Sequence, residues 1–321
     1  MKNNRRMITV SICTQTYNHK EYIKECLDSF VRQKTNFEFE ILVHDDASTD
    51  GTAELVKEYE EKYPQLFNNV YQTENQYGKI NSLTEILFKK ARGKYIAICE
   101  GDDYWSDPNK LQKQVDFLVN NPECFVCHTW HSHLINKNGD WIDEEAPKSN
   151  KGYLEQTFST VEIILKNQLR LKSRTVMFRN ELEFPETFRK VPYGDIAMSI
   201  LFGKYGKYGF IDEPTAVYRI HSEGASNANK GEKYRLIQDR FNLLESLYFA
   251  KDVFGNKYDD LLMIQYKEKL QEISKTFRRD RNAFKVLISR IDQLCTKYNL
   301  NSGYYKRIAR WIWVLESMRI K

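Results

Sequence analysis

Apolar and polar positions along the first 120 residues repeat with two alternating periods. Short apolar runs predict buried strands, and apolar residues three or four positions apart predict amphipathic helices. The predicted strands cover residues 8–13, 38–43, 67–72 and 95–99. The predicted helices cover residues 21–33, 52–63, 81–90 and 110–119. This order predicts an α/β fold with a mostly parallel sheet and helices on both faces.

The pattern loosens after residue 124. Further strands are predicted at residues 125–134, 174–178, 208–211 and 216–220, and a helix at residues 193–202. From about Gly231 the sequence indicates almost continuous helix, with breaks near Gly255, Arg281 and Asn299. We therefore expect a C-terminal helical region, which begins at about residue 227.

Composition and charge narrow the class of protein. The chain has 321 residues, of which 41% are hydrophobic and 29% charged, as in ordinary folded proteins. Residues 1–225 carry a net charge of −4 and residues 226–321 a net charge of +9. The basic C-terminal part would either bind an anionic surface or form helices whose basic face is simply exposed to water.

The chain's compartment is predicted from what its sequence lacks. Neither a membrane-length apolar run nor a signal-peptide pattern is evident, so we expect a cytoplasmic protein, soluble or peripheral on the inner face of the membrane. The six cysteines are scattered, and several sit within apolar runs, which favours buried thiols in a reduced compartment over disulfides.

Three carboxylates follow the predicted strand at residues 95–99, namely Glu100, Asp102 and Asp103. Unpaired carboxylates are costly at the end of a buried strand, and a divalent cation is a natural partner. Mg²⁺ typically combines one or two carboxylates with substrate phosphates. The pattern therefore indicates a metal–phosphate site, and the alternative is a charged turn that caps the following helix.

Two further polar stretches follow predicted strands, Thr14–Asn18 and Asp45–Gly51. Carboxyl ends of parallel strands form the ligand-binding edge of such sheets. There Tyr17 can stack on a base, and Asp45 or Asp46 can accept the imide N–H of uracil. The alternative for the second stretch is capping of the next helix.

Four stretches together resemble the family-2 inverting glycosyltransferases with the glycosyltransferase-A fold. They are Thr14-Gln-Thr-Tyr-Asn18, Val43-His-Asp-Asp-Ala-Ser-Thr-Asp-Gly-Thr52, Ala91-Arg-Gly-Lys-Tyr-Ile-Ala-Ile-Cys-Glu-Gly-Asp-Asp-Tyr-Trp105 and Lys110-Leu-Gln-Lys-Gln114. Gly194-Asp195, Gly209–Pro214 and Tyr218-Arg-Ile-His221 resemble the second half of the same domain. The resemblance covers roughly residues 7–226, and it implies a catalytic domain at 1–226 followed by a helical region at 227–321.

The resemblance also implies residue roles. The nucleotide is assigned to Thr14, Tyr17, Asp45, Asp46, Lys79 and Asp102. A Mn²⁺ or Mg²⁺ ion is assigned to Asp102, Glu100 and His221, with Glu100 in place of the usual Asp and acting through water. Asp195 matches the catalytic base, Asp103 caps the next loop or touches the donor sugar, and Trp105 stacks on the acceptor sugar.

These roles predict metal-dependent, inverting transfer from a UDP-sugar to a glycan acceptor. The expected acceptor is a bacterial surface glycan, as in capsule or O-antigen synthesis, on a lipid carrier, and nucleic acid is not an expected partner. Two rivals stay open. One is a nucleotidyltransferase, although the loop after the first strand has no glycine, and the other is a non-catalytic scaffold of a glycan-assembly complex.

Two other stretches offer competing interpretations. Cys124, Cys127, His128, His131 and His133 supply enough ligands for zinc or haem, but their alternation favours a strand with small hydrophobic residues inside.

The C-terminal stretch 302–319 has aromatic and aliphatic residues on one helical stripe and basic residues beside it. The stripe comprises Tyr304, Ile308, Trp311, Leu315 and Met318, and the basic residues are Lys306, Arg307 and Arg310. The stretch suits a helix that lies on anionic lipid, or one that packs on its own domain or on a second subunit.

Overall fold

The computed structural model describes residues 7–137, 139–144, 157–167, 170–222, 233–276 and 280–318. They fall into two compact units. Unit 1 draws on Met1–Ser159, Leu171–Phe184 and Tyr205–Ala228, and unit 2 draws on Thr160–Arg170, Pro185–Lys204 and Asn229–Lys321. The units differ from the two predicted ranges, because residues 160–170 and 185–204 group with the C-terminal helices.

The strands all lie in unit 1. They are β1 (Ile8–Thr16), β2 (Glu38–Asp45), β3 (Val70–Tyr71), β4 (Tyr95–Ile98), β5 (Tyr104–Trp105), β6 (Cys124–Lys137), β7 (Asp140–Glu144), β8 (Phe158–Ser159), β9 (Met177–Arg179) and β10 (Lys207–Ile220). The unit 1 helices are α1 (Lys20–Val31), α2 (Thr52–Lys62), a π-helical turn (Leu83–Leu87) that leads into α3 (Phe88–Lys90), and α4 (Lys110–Asn120).

One mixed sheet joins the described strands in the order β3-β2-β1-β4-β9-β6-β10-β5. Strands β1 to β4 pair in parallel, as do β6 and β10, whereas β9 runs antiparallel to both of its neighbours. The mostly parallel sheet predicted from the alternating pattern is therefore present. Strand β1 lies between β2 and β4, so the loops that follow these three strands are neighbours.

The core of unit 1 explains the apolar periodicity. Val10, Ile12 and Ile41 alternate along β1 and β2 and pack with Ile23 and Leu27 of α1, and all five are buried. Each such side chain contributes roughly 1.5–3 kcal/mol when it leaves water. This packing fixes the register of the central strands and hence the position of the polar residues at their ends.

Three of the predicted strands take a different form in the structure. The strand predicted at 174–178 begins only at Met177, because Ser173–Thr175 form a 3-10 turn in which the Thr175 N–H donates to the Lys172 carbonyl at 2.8 Å. The two strands predicted at 208–211 and 216–220 are one strand, β10, whose register shifts around Pro214. Proline lacks a backbone N–H, so the pairing is interrupted there without ending the strand.

Unit 2 is helical. It contains α5 (Val161–Asn167), α6 (Gly194–Phe202), α7 (Lys233–Phe254), α8 (Asp259–Thr276), α9 (Arg281–Lys297) and α10 (Ser302–Met318). The breaks after α7 and after α9 fall where the sequence predicts them, near Gly255 and Asn299. The third break is predicted near Arg281, which is instead the first residue of α9, and residues 277–279 lie outside the described part of the chain. None of the described helices combines the length and the apolarity needed to span a bilayer.

Candidate active site

The polar stretches that follow β1, β2 and β4 converge at one edge of the sheet, as expected. Thr16 at the end of β1 pairs with Asp45 at the end of β2. On the other side of β1, the Gly101 N–H donates to the Gln15 carbonyl at 3.0 Å. Gly101 has no side chain to keep these loops apart, since a Cβ there would lie 2.8 Å from the Thr16 hydroxyl.

Asp45 and Asp46 have different surroundings. Asp45 is 2% exposed, and its Oδ2 accepts the Ser48 N–H at 3.0 Å, which closes the turn after β2. The Oδ1 of Asp46 accepts the Gln76 N–H at 2.7 Å. Asp46 therefore holds the segment that follows β3, whereas no described residue bonds to the Asp45 Oδ1.

Capping of α2 belongs to a different residue. The Asp50 carboxylate accepts the Thr52 N–H at 2.9 Å and the Thr52 hydroxyl at 2.6 Å. Neither Asp45 nor Asp46 makes such a bond at the start of α2, so the capping alternative does not account for them.

Four buried polar atoms at this edge have no hydrogen-bond partner among the described residues. They are the hydroxyls of Thr14 and Thr16, Asp45 Oδ1 and Glu100 Oε2. A buried polar group without a partner costs about 1–3 kcal/mol, and such groups in a cluster call for an explanation. A polar ligand that bonds to them is one.

Asp102 lies between two histidines. Its Oδ2 is 3.4 Å from Nε2 of His221 and 3.9 Å from Nε2 of His19. Burial opposes ionisation of Asp102, but the hydrogen bond to His221 and the charge of His19 outweigh it and lower its pKa. Asp102 is therefore a carboxylate at neutral pH, and His221 lies beside it as the resemblance implies.

Ser173 holds the Glu100 carboxylate. Its Oε1 accepts a hydrogen bond from the Ser173 hydroxyl, and burial raises its pKa. Within the described residues no three Asp, Glu, His or Cys side chains are already assembled as a metal cluster. Asp102, beside His221, thus fits a metal only if other ligands complete the coordination shell, and metal binding stays a prediction.

Asp103 is structural. It is 1% exposed, its Oδ2 pairs with Nε of Arg174 at 2.6 Å, and its Oδ1 accepts the Arg219 N–H at 2.9 Å. We call these contacts the Asp103 clamp. Burial raises the pKa of Asp103 to about 7, against the opposing charge of Arg174. Both carboxylate oxygens are engaged inside the protein, which favours the first of the two expected roles, holding the loop, and the sugar contact stays a prediction.

Trp105 is a core residue, which corrects its expected role in stacking on the acceptor. It is 1% exposed, its ring packs 4.8 Å from the Phe30 ring, and its indole N–H donates to the Arg174 carbonyl at 3.0 Å. The Nζ of Lys110 lies 5.2 Å from its ring centroid. No face of this ring is left for a sugar.

The predicted nucleotide residues Tyr17 and Lys79 lie at the surface. Tyr17 is 45% exposed directly after β1, so its ring is accessible for stacking on a base. The Lys79 Nζ is 3.8 Å from an exposed Glu74 carboxylate. Both roles stay predictions.

Asp195 belongs to unit 2 and lies in the first turn of α6. Its Oδ2 is 3.4 Å from a nitrogen of Arg170, and its Oδ1 accepts the Ile196 N–H at 2.9 Å. The N-cap residue of α6 is Tyr193, so Asp195 does not cap the helix. Its carboxylate nevertheless interacts with the positive end of the helix, because it lies in the first turn. Its role as base stays a prediction.

The stretch with alternating Cys and His residues forms β6. Cys124 and Cys127 are free and buried in the core. Burial lowers the pKa of His128 to about 3 and that of His131 to about 3, so both are neutral. The strand interpretation accounts for these residues.

Sequence reasoning missed His19, Thr16, Ser173, Arg174 and Arg219. Thr16 is two positions from Thr14 on the same strand face, and Arg219 is two positions from His221, so the strand period could have found them. Ser173 and Arg174 lie on a short 3-10 turn, where no period marks a buried contact.

Comparison with known proteins adds a family assignment. A family model described as "Glycosyl transferase family 2" matches residues 11–178. An uncharacterized protein of Mycobacterium bovis is 36% identical over 216 residues, which are 67% of this chain and 60% of that protein. The match thus spans about three fifths of that mycobacterial relative. The putative teichuronic acid biosynthesis glycosyltransferase TuaG of Bacillus subtilis is 29% identical over 75% of this chain and 90% of its own length.

Solved structures share the fold. Staphylococcus aureus TarS 1-349 in complex with UDP-GlcNAc superposes with a TM-score of 0.60 over 97% of this chain and 89% of that chain, at 17% identity. The mannosyltransferase PcManGT of Pyrobaculum calidifontis, in complex with GDP-Man and Mn²⁺, gives a TM-score of 0.56 at 17% identity over 97% and 88%.

Proposed function

This chain belongs to glycosyl transferase family 2, and from that membership we propose that it transfers a sugar from a UDP-sugar to a glycan acceptor in a metal-dependent, inverting reaction. The observation that carries the proposal is the set of unpartnered buried atoms of Thr14, Thr16, Asp45 and Glu100. They lie near the carboxyl ends of the adjacent strands β1, β2 and β4, in the same edge region as the ionised Asp102.

In the proposed donor site, Asp45 recognises the base through a hydrogen bond. A uracil ring presents one imide N–H, which is a donor, and the Asp45 Oδ1 is an acceptor that no described residue uses. Tyr17, exposed beside it, stacks on the ring. Asp46 holds the neighbouring backbone, and Lys79 supplies positive charge toward the nucleotide from the segment that Asp46 anchors.

Asp102, with His221 beside it, holds a Mn²⁺ or Mg²⁺ ion in this proposal. The bound ion acts as a Lewis acid for the leaving diphosphate. Since the described residues offer few preassembled ligands, the diphosphate oxygens complete the shell, and metal affinity depends on the nucleotide. Glu100, held by Ser173, acts through its free Oε2 and a water molecule.

Asp195 is the proposed base. Its carboxylate, kept near Arg170 and the start of α6, takes the proton from the acceptor hydroxyl. A positioned base typically contributes ~10²–10⁴-fold in rate. Attack from the side opposite the diphosphate inverts the anomeric carbon.

The proposed acceptor is a bacterial surface glycan on a lipid carrier. Support comes from the similarity to TuaG, the putative teichuronic acid biosynthesis glycosyltransferase of Bacillus subtilis, and from the basic C-terminal region. The family assignment favours a glycosyltransferase over the two rivals, a nucleotidyltransferase and a non-catalytic scaffold.

The test is UDP release from a panel of UDP-sugars, with and without Mn²⁺ and with a glycan acceptor mixture. The proposal expects metal-dependent UDP release from at least one sugar. Release of pyrophosphate from UTP and a sugar 1-phosphate would favour the nucleotidyltransferase, and no turnover of any donor would favour the scaffold.

We also propose that α10 places the protein on an anionic lipid surface. Ala309, Ile312 and Trp313 are buried, so the helix packs on its own unit through that face. The opposite face exposes Arg307 and Trp311, and Trp311 is 62% exposed. An aromatic residue beside basic ones suits the membrane interface.

Vesicle binding tests this surface better than truncation, because truncation would remove the buried face as well. Arg307→Glu combined with Trp311→Ala should abolish binding to phosphatidylserine vesicles. Wild-type binding should weaken with salt, since the Debye length is ~8 Å at physiological ionic strength. A dimer that the double variant converts to monomer would assign the surface to a second subunit instead.

A further inference from the structure

A cavity lies in unit 2, among helices that the proposed transfer does not use. It has a volume of about 350 Å³, and every described residue that lines it comes from α7, α8 or α10. This volume is at the lower end of the range of roughly 300–1,000 Å³ for small-molecule sites. The cavity is therefore large enough to hold a small molecule.

Four tyrosines dominate its lining. The Tyr305 ring lies 5.2 Å from the Tyr248 ring and 5.0 Å from the Tyr266 ring, and Tyr304 is 5.5 Å from Tyr305. Tyr248 and Tyr266 are buried, so these edge-to-face contacts hold the inner rings in place. Tyr304 is 45% exposed at the mouth, where its ring is open to a ligand.

Acidic side chains complete the cavity on one side. Asp259 and Asp260 in the first turn of α8 both line it and are exposed. Asp259 pairs with Lys251, whose Nζ also lies 2.5 Å from Asn256 Oδ1. The pair fixes the Asp259 carboxylate in place, and Asp260 adds a second acceptor.

Aromatic rings next to carboxylates match the chemistry of a sugar. A pyranose has a face of C–H groups, which suits the negative face of an aromatic ring. Around that face it has hydroxyl groups, which donate to carboxylates in strong, charge-assisted hydrogen bonds. Lys251 pairs with Asp259, so the cavity lining keeps one net negative charge, that of Asp260. This charge disfavours an anionic ligand, so a neutral sugar fits better than a uronic acid.

We propose that this cavity, the tyrosine cleft, is a carbohydrate subsite that binds one neutral hexopyranose of a glycan between Tyr304 and the carboxylates of Asp259 and Asp260. It is lined by unit 2 alone and needs neither nucleotide nor metal. It therefore goes beyond the proposed transfer and stands whether or not that proposal holds.

The test is saturation-transfer difference NMR on the full chain, without nucleotide or metal. The probes are the methyl pyranosides of glucose, galactose, mannose, N-acetylglucosamine and N-acetylgalactosamine, with methyl glucuronate as the anionic comparison. At least one neutral probe should bind, and more tightly than the glucuronate. Tyr304→Ala should weaken that probe about tenfold, as expected for loss of one aromatic contact.

Asp260→Asn is the second variant, because it keeps the shape of an exposed side chain and so preserves the fold. It should also weaken the probe several-fold. Ile264→Ala is the matched control, since Ile264 is exposed on α8 next to the lining residue Met263 but lies outside the cleft. Thermal unfolding checks that all three variants are folded.

Two results would overturn the assignment. One is the lack of a signal from any neutral probe with the wild-type protein. The other is a signal that persists at wild-type strength in both Tyr304→Ala and Asp260→Asn, which would place the bound sugar elsewhere on the chain.

Discussion

Asp103→Asn tests whether the Asp103 clamp positions the loop that carries Asp102. The substitution keeps the size of the side chain but removes its charge. In the folded protein Arg174 would then lie buried beside a neutral amide instead of a carboxylate at 2.6 Å. The Arg219 N–H would keep an acceptor only if the amide oxygen faced it, and the amide nitrogen would then face Arg174.

The expected cost follows from burial. Removing one partner of a buried ion pair leaves the other charge unpaired and typically costs about 3–5 kcal/mol. Glu100 also acts on Arg174 and replaces part of the lost charge, and burial already disfavours the ionised form of Asp103, so about 3 kcal/mol is the upper limit of the expected cost. Asp103→Leu together with Arg174→Met should cost less than the sum of the two single changes, because no charge is then left unpaired.

The assay is urea unfolding at pH 8, followed by tryptophan fluorescence and circular dichroism, with UDP affinity measured on the folded fraction. Glu213→Gln is the control, since Glu213 pairs with Lys113 at the surface and should change stability by at most ~0.5 kcal/mol. Equal, small effects of Asp103→Asn and Glu213→Gln, or strict additivity in the double variant, would refute the clamp.

Three other changes have distinct expected outcomes. Asp195→Asn should bind the donor normally but transfer sugar at least ~10²-fold more slowly, and near-normal turnover would exclude the base role. Gly101→Ala should cost about 1–3 kcal/mol and weaken UDP binding, because its Cβ would lie 2.8 Å from the Thr16 hydroxyl, whereas Gly303→Ala on α10 should leave UDP binding unchanged. Burial lowers the pKa of Lys110 to about 7. Between pH 7 and about 10 the unfolded chain therefore binds a proton there that the folded chain does not, and wild-type stability gains up to ~1.4 kcal/mol per pH unit from this residue. Lys110→Met should lose that gain, and parallel stability–pH curves for the two proteins would contradict the assignment.

The family and the architecture were predictable because their signals are local. The apolar runs of β1, β2 and β4 and the loops after them are contiguous in sequence, and both the family and the mostly parallel sheet are confirmed. Convergence of Thr16 and Asp45 follows from the parallel register alone.

What sequence reasoning missed depends on distant contacts. Trp105 follows three acidic residues and looks like a surface aromatic residue, but Phe30 and the Arg174 carbonyl hold it in the core. Asp103 pairs with a residue 71 positions away in sequence, which no period reveals. The grouping of α5 and α6 with the C-terminal helices is likewise a matter of tertiary packing.

The most direct test of the donor site is the shift in thermal unfolding caused by nucleoside diphosphates. UDP with Mn²⁺ should raise the unfolding midpoint of the wild-type protein, because a ligand that binds only the folded state stabilises it. CDP should have little effect, since cytosine lacks the imide N–H that Asp45 accepts, and Asp102→Asn should lose the metal-dependent part of the UDP shift. A shift with CDP as large as the shift with UDP would contradict the proposed base contact. A UDP shift that keeps its full size without Mn²⁺, or in Asp102→Asn, would contradict the proposed metal site.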